Sequence, residues 1–138
     1  MTTTDRTNAK KAVKSYLKAI QQRDFIRAYD LTQFSWRKSI NNLEAAMIQL
    51  RNMYLYEFNN LDIRNTKKIG NCSIDVEFKF HWLGCDYIGI ARVICESASF
   101  KPTIEGGTWG VNPTSVLRIH EVKDAKEKAG KTEKAAGK

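Results

Sequence analysis

The sequence predicts an α+β domain: three N-terminal helices packed in the concave face of a strongly curved antiparallel sheet of about four strands, a cone or roll. Three observations carry that prediction. Apolar residues recur at three- and four-residue steps as far as Met53, which is the helical period. From Tyr54 the period changes to two and stays there, which is the period of half-buried strands. Helices first and strands afterwards is an α+β order, in contrast to the alternation that builds parallel sheets.

The stretch Asp5 to Leu31 organises the rest. Ala9, Ala12, Val13, Tyr16, Leu17 and Ile20 form one helical face, and Lys10, Lys14 and Lys18 make a four-step row outside it, with Lys11 alongside. Asp24 reads as a one-residue break that caps a second, short helix bearing Phe25, Ala28, Tyr29 and Leu31. Trp36, Ile40, Leu43, Met47 and Leu50 then mark a third helix over about Ser35–Met53, with Arg37, Lys38, Asn41, Asn42 and Glu44 facing water.

Tyr54, Tyr56 and Phe58 share one face of the first strand, and Leu61 and Ile63 continue with shifted parity. An extra residue near Asn59-Asn60 restores the facing, as a bulge does. Lys67 to Asn71 reads as a hairpin turn. Cys72, Ile74, Val76, Phe78, Phe80 and Trp82 then alternate with Ser73, Asp75, Glu77, Lys79 and His81, the clearest strand in the chain. Leu83 to Asp86 turns again. Tyr87 to Cys95 is apolar on both faces and reads as a central strand. Ser97 to Gly107 is a polar loop, and Trp109 to Val122 closes the sheet with an interruption at Asn112-Pro113, since proline cannot donate to a ladder. The domain is therefore expected over 5–122. The Lys/Ala-rich segment 123–138 has no apolar stripe to offset its ordering entropy and is expected to be disordered.

The charge of +8 is unevenly placed: residues 5–23 carry +5, residues 24–122 are neutral and residues 123–138 carry +3. Lys10, Lys11, Lys14 and Lys18 are thus the anion-binding candidates, toward nucleic acid or an acidic membrane surface. Solvated helix faces commonly look the same, and no aromatic residues are interleaved among the lysines for base stacking. The three cysteines lack Cys-x-x-Cys spacing; Cys72 and Cys95 are expected on strands as reduced core thiols, with a Cys72–Cys95 disulfide the alternative if those strands pair in the right register. His81 and His120 lie on outward strand positions without a third ligand at recognisable spacing, so no metal site is expected. No glycine-rich phosphate loop or nucleophile motif appears, and no cofactor is called for. No apolar run reaches the ~20 residues of a membrane span. The opening Met1 to Asp5 lacks a signal-like apolar core, so a cytoplasmic location is expected.

The pattern Val13-x-x-Tyr16-Leu17-x-Ala19-Ile20-x-x-x-Asp24-Phe25-x-x-Ala28-Tyr29, with Trp109-x-Val111 and Val116-Leu117-x-Ile119 near the end, resembles the nuclear transport factor 2-like superfamily over about residues 8–122. That family includes ketosteroid isomerase and scytalone dehydratase. The resemblance implies a cone whose mouth opens between helices and sheet, with Tyr16, Ile20, Tyr29, Asp30, Trp36, Phe78, Phe80 and Trp109 as pocket candidates. It also implies that Tyr16 stands where the isomerases hold a hydrogen-bond-donating tyrosine. No carboxylate stands at the family's base position, and Asp30 is the nearest substitute. Three functions follow in order of preference. The first is a non-catalytic binding or assembly domain for a small apolar ligand or protein partner, homodimeric through the Ser73, Asp75, Glu77, Lys79, His81 face. The second is an isomerase or lyase acting on a small hydrophobic substrate, and the third is anion binding by the lysine row.

Overall fold

A computed structural model describes residues 2–122 of the chain, so the expectation for 123–138 lies outside the described residues. Four helices precede a five-stranded antiparallel sheet. Helix α1 spans Thr3–Gln21 and is opened by a capping box: the Thr2 hydroxyl accepts from the Asp5 amide (3.1 Å) and the Asp5 carboxylate accepts from the Thr2 amide (2.9 Å). Its face Ala9, Ala12, Val13, Tyr16, Leu17, Ile20 is buried as the spacing predicts. The break after α1 takes three residues, Gln22 to Asp24, because the chain turns through a left-handed Arg23 (φ 58°) before Asp24 accepts from the Arg27 amide and starts α2, Phe25–Asp30.

The expected single third helix is two. Helix α3 covers Phe34–Ile40 and ends at Asn41 in the left-handed region (φ 51°). The Asn42 side chain then accepts from the Ala45 amide and opens α4, Leu43–Met53. Apolar spacing runs unbroken through this corner, while two asparagines with the conformational and capping preferences of a helix junction interrupt the backbone.

Tyr54 to Phe58 also departs from expectation. The segment alternates in burial as predicted but joins no ladder, and strand β1 begins only at Asn59 and runs to Gly70. The bulge expected at Asn59-Asn60 is present, with Asn60 at φ 54° and a register shift before Asp62. The first hairpin turn is just Asn71-Cys72, since Lys67, Lys68 and Gly70 stay paired in β1 with Ile69 at an irregularity between them, and Cys72 therefore lies in the turn, not on a strand. Strand β2 is Ser73–Trp82. Leu83 (φ 51°) and Gly84 (φ 79°) are both left-handed, as the tightest hairpins demand, and lead into β3, Cys85–Glu96.

Strand β3 is the central strand, as its two apolar faces suggest. Its far edge pairs with two short strands end to end: β4, Thr108–Val111, against Val93–Glu96, and β5, Ile119–Val122, against Asp86–Gly89. The 3₁₀ turn Pro113–Leu117 separates them at the predicted interruption. Five strands replace the expected four for this reason. The sheet is also not strongly curled, which corrects the cone expectation. Strands β2 and β3 pair residue for residue from Ser73–Ile94 to Trp82–Cys85 without a shift, and the irregularities sit in the edge strand β1. Strong bending needs bulges or kinks repeated across neighbouring strands.

Helix α1 lies on the inner face of the sheet, contacting β1 to β4 and α2. Two polar devices fasten the remaining helices. Strand β4 and the α2–α3 connection exchange bonds, Val111 amide to Leu31 carbonyl and Gln33 amide to Val111 carbonyl, both 2.9 Å. The buried Glu96 carboxylate accepts from the Ser35 amide (3.1 Å), the Ser35 hydroxyl and the Gln33 side-chain amide, capping α3 from the sheet where Gln33 supplies no cap of its own.

Candidate functional site

The interior expected to hold a ligand is packed with its own side chains. Tyr16 and Phe78 are fully buried and Phe80 is 1% exposed. Phe78 stacks on Phe80 (6.0 Å between centroids) and Phe80 on Tyr87 (5.3 Å), while Phe58 meets Phe80 edge-on at 4.8 Å. The Tyr16 hydroxyl lies 2.6 Å from that of Tyr54, which donates to the Pro113 carbonyl at 2.8 Å. Because a carbonyl only accepts, the direction is fixed: Tyr16 donates to Tyr54, and Tyr54 to Pro113. Burial pushes both phenols well above their ordinary range. The isomerase reading requires a carboxylate or imidazole at the Tyr16 hydroxyl. The hydrogen bonds of that hydroxyl lead to a phenol and a backbone carbonyl instead.

The other pocket candidates scatter. Trp36 is a core residue, and Trp109 is half-buried on β4 opposite Cys95. Ile20 edges a small cleft of about 210 Å³ with Tyr54 and Tyr56. Asp30 is exposed at the end of α2, on the surface while Tyr16 is buried, and its backbone carbonyl accepts from Arg37 (3.2 Å). Of the whole set, only Tyr29 lines the groove described next.

That groove lies where α2, the α3–α4 corner and the Ser97–Gly107 loop meet, with a volume of about 490 Å³, within the range of ligand-sized clefts. Tyr29, Phe34, Leu43, Ala98 and Phe100 give it apolar walls, and Arg37, Lys38, Asn41 and Asn42 its polar groups. Among the described residues no carboxylate lines it. The Arg37 guanidinium lies over Phe34 (4.8 Å) and Tyr29 (5.4 Å), and the Lys38 ammonium over Phe100 (4.5 Å). Arg37 is further held through Nε and Nη2 by the Thr32 and Asp30 carbonyls, whereas its Nη1 has no hydrogen-bond partner among the described residues. The site is therefore a fixed pair of cations set on aromatic faces. Its recognition surface favours an anionic group attached to an apolar or aromatic body.

Arg37 and Lys38, expected to face water, also line this groove, beside Phe34 and Phe100, which belong to neither apolar stripe. Phe34 and Arg37 stand three residues apart, a same-face spacing that was readable. The approach of Phe100 was not, since it depends on a loop held by the Ser97 hydroxyl and by a left-handed Phe100 (φ 69°).

Of the anion-binding candidates, Lys11, Lys14 and Lys18 are exposed and Lys10 is half-buried on α1, and none forms an ion pair among the described residues. The outer sheet face carries its own polar pairing. Asp75 takes Arg92 (2.9 Å) and Arg118 (3.6 Å), and Asp86 takes His81 (3.0 Å) and Lys79 (3.7 Å). The hydrogen bond from His81, with the charges of Lys79 and His81, holds the Asp86 carboxyl below its ordinary value. His120 is exposed. All three cysteines are free thiols, and burial pushes Cys95 up to about 11. Among the described residues no group of three His, Cys, Asp or Glu side chains converges on a metal site, and no helix is long and apolar enough to cross a membrane. Compared with protein-family models, with curated proteins and with solved structures, the chain matches none.

Proposed function

We propose that this is a non-catalytic binding domain whose α3–α4 groove receives an acidic segment of a protein partner, anchored by one aromatic or aliphatic side chain. The observation that carries the reading is the groove itself: two ring-supported cations and apolar walls, with no acid among its lining residues. A peptide carboxylate would meet the open edge of Arg37 and the Lys38 ammonium, while its apolar side chain would lie against Phe34, Phe100 and Leu43. The capped helix break at Asp24 and the helices-then-sheet order support descent from the nuclear transport factor 2-like superfamily. The uncurled sheet is a departure from that type. The closed Tyr16–Tyr54–Pro113 chain and the packed interior favour this surface groove over a substrate chamber.

The test is backbone-amide NMR of the full chain titrated with three short peptides: Glu-rich with a central Phe, the same with Ser for Phe, and a Lys-rich version with Phe. Shifts confined to Phe34–Leu43 and Ala98–Phe100, produced by the first peptide and weakened at least about tenfold in Lys38→Glu, are expected. Equal response to the Lys-rich peptide, or no groove shifts at millimolar concentration, overturns the reading.

A further inference from the structure

Helix α4 has two working faces. Ala46 and Leu50 point inward and are buried. On the other side Glu44, Met47, Ile48 and Arg51 fall at steps of three, four and seven, a single outward stripe. Beside it on α2 stands Ile26, 63% exposed, and Leu43 and Ile48 are 56% and 44% exposed. Together with Phe25 these residues form a shallow apolar trough of about 510 Å³ in which Glu44 and Arg51 are the charged lining groups among the described residues. Contiguous apolar exposure of this kind marks a surface that something covers.

The order of the charges says what. Glu44 and Arg51 are about 10 Å apart along the helix axis, too far to meet each other. Neither is in an ion pair among the described residues. Midway between them in sequence are Met47 and Ile48. When the helix is laid antiparallel on a copy of itself about that midpoint, residue 44 of each chain faces residue 51 of the other, and Met47 faces Ile48. Two carboxylate–guanidinium pairs then flank four apolar side chains. A parallel copy would set acid against acid and base against base. The patch is thus complementary to itself under a two-fold rotation, which is the property of an isologous interface.

We propose that the chain forms a homodimer through antiparallel α4–α4 packing, with Ile26 and Leu43 extending the apolar contact. This interface lies on the helical side of the molecule, away from the outer sheet face. It shares Leu43 with the α3–α4 groove, but its charge pair Glu44 and Arg51 lies outside that groove, so variants at those two residues test it separately from the peptide reading.

Sedimentation equilibrium of the full chain tests it. The wild type is expected to dimerise, and Glu44→Arg and Arg51→Glu to raise the dissociation constant at least about tenfold each, since each puts like charges at both ends of the interface. The double variant E44R/R51E restores the dimer, because both pairs are rebuilt in reverse. An equimolar mixture of the two single variants also dimerises, because each pair then joins an Arg to a Glu. That last result separates a broken interface from a broken fold. A wild type that stays monomeric at hundreds of micromolar overturns the proposal. So does a dimer indifferent to all these variants, and its loss in Ile90→Asp, at a half-buried residue paired with Glu77 on the outer face of the sheet, would put the interface there.

Discussion

Tyr54 is the residue on which the polar wiring of the interior turns. It accepts from Tyr16 and donates to Pro113, so it joins α1 to the 3₁₀ turn through the floor of the molecule. The two phenols differ in consequence. Tyr54→Phe leaves the buried Tyr16 hydroxyl without an acceptor and the Pro113 carbonyl without its donor, and is expected to cost about 1–3 kcal/mol. Tyr16→Phe leaves Tyr54 still bonded to Pro113 and is expected to cost less. Added to Tyr54→Phe, the Tyr16→Phe change removes an orphaned hydroxyl and is expected to be neutral or stabilising. Urea denaturation of the four members of this double-mutant cycle measures the coupling. Additive losses would show that the two hydroxyls do not act as a chain.

At the scale of elements, the α3–α4 corner shows where periodicity stops being informative. Trp36, Ile40, Leu43, Met47 and Leu50 are spaced as one helix, yet only Trp36, Ile40 and Leu50 of the five reach the core, while Leu43 is largely exposed and Met47 lies on the outward side of α4. The corner is built instead by Asn41 in the left-handed region and Asn42 as a cap. Asn41→Gly is expected to be neutral or to stabilise by up to about 1 kcal/mol, because it removes the β-carbon that crowds the next carbonyl, and Asn41→Ala to cost up to about 1 kcal/mol, because alanine keeps that β-carbon and loses the short polar side chain through which asparagine tolerates the left-handed region. Thermal denaturation of the two variants compares them directly, and equal melting temperatures would mean that the corner is held by packing alone. The same contrast governs the rest of the chain. Strands β2 and β3 were legible because alternation reports which side is buried, and Asp24 because a capping residue acts locally. The extended Tyr54–Phe58 segment alternates without pairing, since burial pattern does not say whether a neighbouring strand is there. The degree of sheet curvature and the approach of Phe100 to Lys38 depend on contacts between distant segments. No local signal encodes them.

For the molecule as a whole, the question is how a helical layer stays registered on a sheet whose ladder runs β1-β2-β3-β4 without using it. Apolar contact between α1 and the inner face is strong but not directional. Direction comes from the edge: Val111 exchanges two backbone bonds with the α2–α3 connection, and Glu96 caps α3 from the neighbouring strand. That exchange needs β4 to come close, and Gly110 is what permits it. A β-carbon at Gly110 would lie 2.5 Å from the Gln33 α-carbon, 2.7 Å from its nitrogen and 2.8 Å from the Thr32 carbonyl carbon. These are backbone atoms with no rotamer to yield. Gly110→Ala therefore has to push the connection off the strand, lengthening the bonds at Val111 and moving Gln33 and Ser35 relative to Glu96. The expected cost is about 1–3 kcal/mol of overpacking, with faster hydrogen exchange at the Val111 and Gln33 amides. Gly106→Ala, placed where a β-carbon meets nothing within 4 Å but the backbone is left-handed (φ 70°), serves as the comparison. It is expected to destabilise through local strain while leaving exchange at Val111 and Gln33 unchanged. Unchanged exchange in Gly110→Ala as well would show that the helical layer is held by its apolar contacts and not by this edge.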